Sequence, residues 1–326
     1  MSTSFVPHRR LRNGHVMTLW AWGRTRTFPG LPSPEARLFE VAPDTQVLAH
    51  CYWQRARAHA PTLVVLHGLE GSSTAHYMRG VANKAWIAGF NAVLLNQRNC
   101  GGTEHLSMSL YHSGLTEDVD VVLRALAAEG QTRIGLAGYS LGGNLALKLA
   151  GDYGDQPLAA LKAIVAVSPV MDLARCVDAL ERRSNVIYQW NFVRNLKARM
   201  RRKAAAFPGR FSTEPLDRIH SVRDFDEAYT APFFGFKDAS DYYHRAAALR
   251  VIDRIRLPTL IVTADDDPFV PAASFADPVI AANPAVRLEV TRHGGHCAFV
   301  SESSGEDDGY WAERQIVDFV RARVDP

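Results

Sequence analysis

Short runs rich in Val, Ile and Leu alternate along this chain with stretches of helical periodicity, and no other feature limits the fold so strongly. Runs of this length, apolar at nearly every position, suit strands buried on both faces. Such strands occur where helices cover both sides of a mostly parallel sheet. The runs lie at 46–52, 62–66, 92–96, 133–137, 163–167, 259–263 and 287–291. A helix is expected from about Thr116, whose hydroxyl can cap it while Glu117 and Asp118 sit at the positive end of its dipole. Val119, Val122, Leu123 and Leu126 recur at helical spacing, and Gly130 ends the segment. A last helix over 310–323 turns Trp311, Ile316, Phe319 and Val320 inward.

At 326 residues the chain could form two domains, but α/β architectures run past about 250 residues as one, so a single domain over 1–326 is expected. One connection breaks the rhythm. About ninety residues separate the runs ending at 167 and starting at 259, where a crossover needs only a dozen or more. A structureless loop of that length is rare. We therefore expect a helical insertion over 172–250, lying above the carboxyl ends of the strands as a lid; the plainer alternative is that it extends the body of the fold.

Composition narrows the partners. A net charge of +3 is too small to imply a nucleic acid, and no Cys-x-x-Cys pair or aromatic-basic RNA motif is present. The first ten residues are polar and lack the apolar core of a secretory signal, and no apolar run approaches the ~20 residues that span a bilayer. Cys51, Cys100, Cys176 and Cys297 are widely scattered, which reads as free thiols in a reducing compartment and a cytoplasmic protein.

The chemistry concentrates in four segments. Gly138-Tyr139-Ser140-Leu141-Gly142 follows an apolar strand and precedes a helix-compatible stretch. Strand, tight turn and helix together hold a serine in a strained, exposed turn, with free N–H groups of the helix start beside it. A serine hydroxyl needs a base, and the base an orienting acid. Downstream, Asp265-Asp266-Asp267-Pro268 closes the strand at 259–263; Asp267 has the favoured spacing from Ala264 and Pro271, with Asp265 and Asp266 as alternatives. Arg292-His293-Gly294-Gly295-His296 follows the next strand. Two histidines three apart could suggest a metal, but no third ligand stands at a diagnostic spacing, and neither metal nor cofactor is expected. The glycines free the loop to carry His296 to the serine, leaving His293 a structural hydrogen-bonder. In His67-Gly68-Leu69-Glu70-Gly71 the functional group is a backbone N–H: the amides of Leu69 and Leu141 are the expected oxyanion donors. The order Ser140, Asp267, His296 is that of the α/β-hydrolase fold. The turn Arg98-Asn99-Cys100-Gly101-Gly102 borders the same face and reads as structural, with Cys100 a candidate for the pocket wall.

With those residues in place, the chain resembles the YheT-like α/β-hydrolases, bacterial relatives of the animal α/β-hydrolase-domain proteins that include monoacylglycerol lipases. The likeness runs through Leu11-Arg12-Asn13-Gly14-His15, the four segments above, Arg98-Asn99-Cys100-Gly101-Gly102, Phe225-Asp226-Glu227, Thr230-Ala231-Pro232 and Asp241-Tyr242-Tyr243. It implies hydrolysis of carboxylic acyl esters, acylglycerols or other lipid-like esters among them, through Ser140, Asp267 and His296. A thioesterase or amidase would use the same constellation, and a non-catalytic ligand-binding member of the fold is the alternative from another class. The resemblance brings no His-x-x-x-x-Asp motif of acyl transfer. Within the insertion, 182–213 holds nine Lys or Arg and no acid, while Val186, Trp190, Val193, Leu196 and Met200 recur near helical spacing. Such a segment either packs its apolar side on the body or makes peripheral contact with anionic lipid.

Overall fold

In the computed structural model, residues 4–305 and 307–325 are described. Eight strands form one sheet in the order β1-β2-β4-β3-β5-β6-β7-β8. They are β1 Glu35–Ala42, β2 Thr45–Tyr52, β3 Thr62–Leu66, β4 Asn91–Leu95, β5 Ile134–Tyr139, β6 Leu161–Val167, β7 Thr259–Ala264 and β8 Val286–Thr291. β2 runs antiparallel to β1 and β4, and every other pairing is parallel.

The apolar runs were long enough to cover both faces, and they do. Val64, Leu66 and Leu136 point into one layer with Val119 and Leu123. Leu63, Val65 and Ala137 point into the other with Met78, Val81 and Ile316. Seven strands coincide with the apolar runs to within two residues. β1 was not expected: it is an edge strand with most of its positions exposed or half-exposed, so Glu35, Arg37 and Glu40 mask the pattern. Thr116 also differs from expectation. Helix α3 does begin beside it, at Glu117–Ala128, but Thr116 is itself in the helical region and its hydroxyl donates to Asp152 Oδ2 at 3.0 Å, capping nothing.

Five other helices matter for the site. Helix α1, Gly14–Gly23, starts at Asn13, whose Oδ1 accepts from Val16 N at 3.1 Å. Helix α2 is His76–Ile87, and α4, Leu141–Tyr153, follows β5 directly. Between β6 and β7 the chain forms a run of helices led by α5, Leu173–Leu180, and α6, Val186–Ala206. Their apolar side chains, among them Cys176, Val193, Leu196 and Met200, join the same layer as the body's Leu145 and Leu147.

Helix α6 does not separate into an apolar and a basic face. Arg199 and Lys203 are buried, and Lys203 Nζ donates to Asn99 Oδ1 at 2.6 Å and to the carbonyls of Glu104 and Ser107. Arg202 pairs with Glu104 at 2.6 Å. Conversely, Val186 and Trp190, spaced as if to face the core, are about 60% exposed (62% and 60%): the buried face of α6 runs through Tyr188, Leu196, Arg199 and Lys203, and they lie to one side of it.

Candidate active site

β5 lies in the middle of the sheet, so the turn that ends it is flanked by the carboxyl ends of β3 and β6. Ser140 occupies that turn with φ 54° and ψ −115°, a conformation disfavoured for a side chain. The turn is tied down by Ser140 N donating to Val167 O at 2.9 Å and Asn144 N donating to Ser140 O at 3.0 Å. It also needs a close backbone approach: a Cβ at Gly142 would come within 2.5 Å of the His67 carbonyl. Non-glycine residues with positive φ recur in the neighbouring loops, at Glu70 (56°) after β3 and Cys297 (59°) after β8. Strain of this kind costs about 1–3 kcal/mol per residue and persists only where surrounding contacts hold it.

The three aspartates after β7 part company. Asp267 Oδ2 lies 2.9 Å from His296 Nδ1, its Oδ1 accepts from Phe269 N and Val270 N at 3.1 and 2.9 Å, and its side chain is fully buried. Asp266 turns the other way, accepting from Gly295 N at 2.9 Å and meeting His293 Nδ1 at 3.2 Å. One carboxylate thus holds the imidazole and its neighbour holds the loop that carries it. Burial works against a charged His296, but the Asp267 carboxylate outweighs it, so the imidazole is a stronger base than usual. Phe269 packs on the ring at 4.1 Å between centroids. His296 and Ser140 line one cavity, and among the described residues no hydrogen bond yet joins them; such contacts are often loose before substrate arrives.

Two backbone amides complete the picture. Leu141 is the first residue of α4, before intrahelical acceptors begin, and Leu69 follows Gly68, which lies against Ser140. Among the described residues, neither amide has an acceptor. His67 itself is buried and structural: burial lowers it to about 4, Nδ1 bonds the Gly68 carbonyl at 2.7 Å, and Nε2 accepts from Gln97 N at 3.1 Å. Cys100 is packed with Tyr111 and Leu141 behind the site and does not reach a cavity wall.

Ser140 stands between two cavities. The larger, about 290 Å³, is lined by His296, Tyr77, Trp22, Tyr188 and Phe192. The smaller, about 90 Å³, lies under the inserted helices, with walls that include Leu173, Val177, Leu180 and Leu196. Motif residues that had no role in the sequence, Phe225, Asp226, Thr230, Tyr242 and Tyr243, converge on this second cavity. Asp226 accepts from Thr230 Oγ1 at 2.7 Å and Tyr243 OH at 2.8 Å, and burial lifts its carboxyl to about 6.

Sequence reading missed helix α1. Thr18 Oγ1 accepts from His296 N at 2.8 Å and donates to Gly14 O at 2.6 Å. A Cβ at Gly14 would overlap the Asp266 carbonyl, so the glycine lets α1 dock on the acid turn. The segment around Asn13 and Gly14 was the available signal, but nothing in it names a histidine 278 residues beyond Thr18.

Comparison with known proteins agrees with this architecture. A family model described as the alpha/beta hydrolase fold matches residues 61–303. The YheT protein of Escherichia coli (strain K12) is 35% identical over 98% of this chain and 93% of its own length. Phospholipase ABHD3 of Mus musculus is 26% identical over 94% of this chain and 78% of its own. Among solved structures, the Pyrococcus furiosus esterase Pf2001 superposes with a TM-score of 0.60 at 16% identity, covering 92% of this chain and 97% of that one, a likeness of fold.

Proposed function

Because the chain belongs to the alpha/beta hydrolase fold family, whose esterase and lipase members support ester hydrolysis, we propose that it is a serine esterase using Ser140, His296 and Asp267. The observation that carries the reading is the buried Asp267 carboxylate 2.9 Å from His296, in one cavity with a serine held at positive φ. His296 takes the Ser140 proton as the hydroxyl attacks the ester carbonyl. The amides of Leu69 and Leu141 receive the oxyanion, and Asp267 holds the imidazole in the tautomer the transfer needs. The tetrahedral intermediate then collapses, the bond to the alcohol breaks, and His296 returns the proton to the departing oxygen. Water, activated by the same histidine, releases the acid.

The proton return also sorts the two cavities. The leaving oxygen must lie on the histidine side, and His296 lines only the larger cavity. The alcohol portion belongs there, and the acyl chain in the smaller, apolar one under the inserted helices, which act as a cap over 172–250. Lipid-like esters, acylglycerols among them, suit this division. The start of α6 supports contact with an anionic lipid surface: Tyr188 and Phe192 pack on Trp22 at the larger cavity, Val186, Ile187 and Trp190 on the same turns are exposed, and the Arg194 guanidinium lies 5.0 Å from the Trp190 ring. The contact uses the first turns of α6, since Arg199 and Lys203 are buried.

A fluorophosphonate probe and a panel of esters with graded acyl chains test the reading. Labelling at Ser140 together with turnover of esters is expected. A folded chain that neither labels nor turns over any ester would end the esterase reading and favour a ligand-binding role.

A further inference from the structure

Residue 70 is an unusual place for a carboxylate. Glu70 follows Leu69, whose amide is the proposed oxyanion donor, and sits at φ 56° with its side chain 6% exposed. Its partner comes from outside the body of the fold: Arg199 Nε, on helix α6, lies 2.8 Å from Glu70 Oε1 and is equally buried, a contact of opposite charges without hydrogen-bond alignment. Tyr111 braces both. Its hydroxyl donates to Glu70 Oε1 at 3.3 Å and accepts from Glu70 N at 3.5 Å, and its ring lies 4.6 Å from the Arg199 guanidinium. Phe225 approaches the same guanidinium at 5.7 Å. Desolvating two charges offsets most of their attraction, so two apolar side chains would stabilise this spot about as well. What an ion pair adds is attachment. Here it ties α6 to the peptide linking Leu69 to a residue in a disfavoured conformation.

We propose that Arg199 is a positioning residue: through Glu70 it fixes the Leu69 N–H at the point where the oxyanion forms, so that this one contact from the cap helix, and not the seating of the helix as a whole, sets the turnover of the serine. The proposal rests on the esterase reading above. An oxyanion donor works only within about 2.7–3.1 Å of the oxygen it will meet, and complete loss of one donor costs roughly 10²–10³ in turnover. Displacing one costs part of that.

The test compares Arg199→Met, Arg199→Lys, Glu70→Gln, the double variant Glu70→Gln/Arg199→Met, and Arg202→Gln. The last loosens α6 from Glu104 without touching the Leu69 loop. Each is measured for melting temperature, for kcat and KM on one ester normalised to fluorophosphonate-labelled sites, and for affinity toward a boronic acid that mimics the tetrahedral intermediate. Single variants leave a buried charge unpaired and should melt lower, while the double variant should recover. In all of them except Arg199→Lys and Arg202→Gln, kcat per labelled site should fall about ten- to a hundredfold, a fraction of the loss of a whole donor. KM should hardly move, and boronate affinity should weaken by the same factor as kcat. Arg199→Lys should keep part of the turnover and Arg202→Gln all of it. Full kcat per site in the double variant, or an equal loss in Arg202→Gln, overturns the proposal. A wild-type chain that is inert and unlabelled overturns the esterase reading and this proposal with it.

Discussion

The loops at the carboxyl ends of the strands and the helices that close over them, α1 and α6, reach the same serine by different physical means. The loops contribute backbone geometry: a serine at positive φ, two amides without acceptors among the described residues, and a turn in which adjacent carboxylates face opposite ways. Such geometry demands particular residues at particular spacings, and it leaves a mark in the sequence. The helices act through side chains that arrive from far along the chain, Thr18 on the histidine loop and Arg199 on Glu70. A threonine and an arginine on helices look like any others. Local geometry is written locally, and tertiary reach is not.

The sharpest way to break this division is to remove the serine. Ser140→Ala should abolish ester hydrolysis, a loss of about 10⁶ in turnover for a comparable nucleophile, while leaving the melting temperature nearly unchanged. A folded variant that keeps a few per cent of its activity would mean that the chemistry lies elsewhere.

Next comes the acid turn, where two neighbours should behave differently. Asp267→Asn leaves the imidazole in the wrong tautomer and should cost about 10⁴ in kcat. Asp266→Asn weakens only the tether to Gly295 and His293, and about tenfold is expected, the value of one charge-assisted hydrogen bond. Equal losses would show that the turn acts as a unit. The pH profile supplies a second readout. His296 must be neutral to accept a proton, and Asp267 raises its pKa. The acidic limb of kcat/KM in the wild type should therefore lie above the ordinary histidine value of about 6.5. In Asp267→Asn it should move to lower pH. A limb that stays where it was would remove Asp267 as the partner.

The covering helices should give smaller effects. Thr18→Val keeps the shape of α1 but leaves the His296 N–H without its acceptor, and we expect kcat to fall about five- to tenfold, as for one buried hydrogen bond. An unchanged rate would reduce α1 to packing. At the start of α6, replacing Ile187 and Trp190 with Ser should weaken co-sedimentation with anionic vesicles and turnover of a lipid ester by about three- to tenfold. A short soluble ester should be spared. No vesicle binding by the wild type at low salt would end the lipid-surface reading.

Legibility followed the same line. Strands β3 to β7 were visible because burial on both faces leaves few polar interruptions, and β2 and β8 because their apolar residues alternate, whereas β1, exposed along most of its length, did not look like a strand. In the acid turn the sequence left Asp265 and Asp266 beside Asp267, and the difference between them lies in which way each carboxylate turns. The apolar spacing of α6 suggested one inward face, but the face that packs also carries Arg199 and Lys203, whose buried partners come from elsewhere in the chain, and Trp190 falls outside it. Asp226 and Tyr243 were conspicuous as motifs and silent about the cavity they line, since a wall exists only once distant segments meet.

The glycine at position 14 carries one more consequence. The region matched by the family model starts at residue 61, and the eight strands start at Glu35, yet the contact between α1 and the acid turn lies upstream of both. A chain shortened to begin at β1 would retain the whole sheet, the serine turn and both acids. It would lose the hydroxyl that His296 N–H donates to and the helix seated on the Asp266 carbonyl. The smallest piece that folds and the smallest piece that works would then be different lengths of the same chain. Trimming residue by residue from the amino end should reach the second limit first.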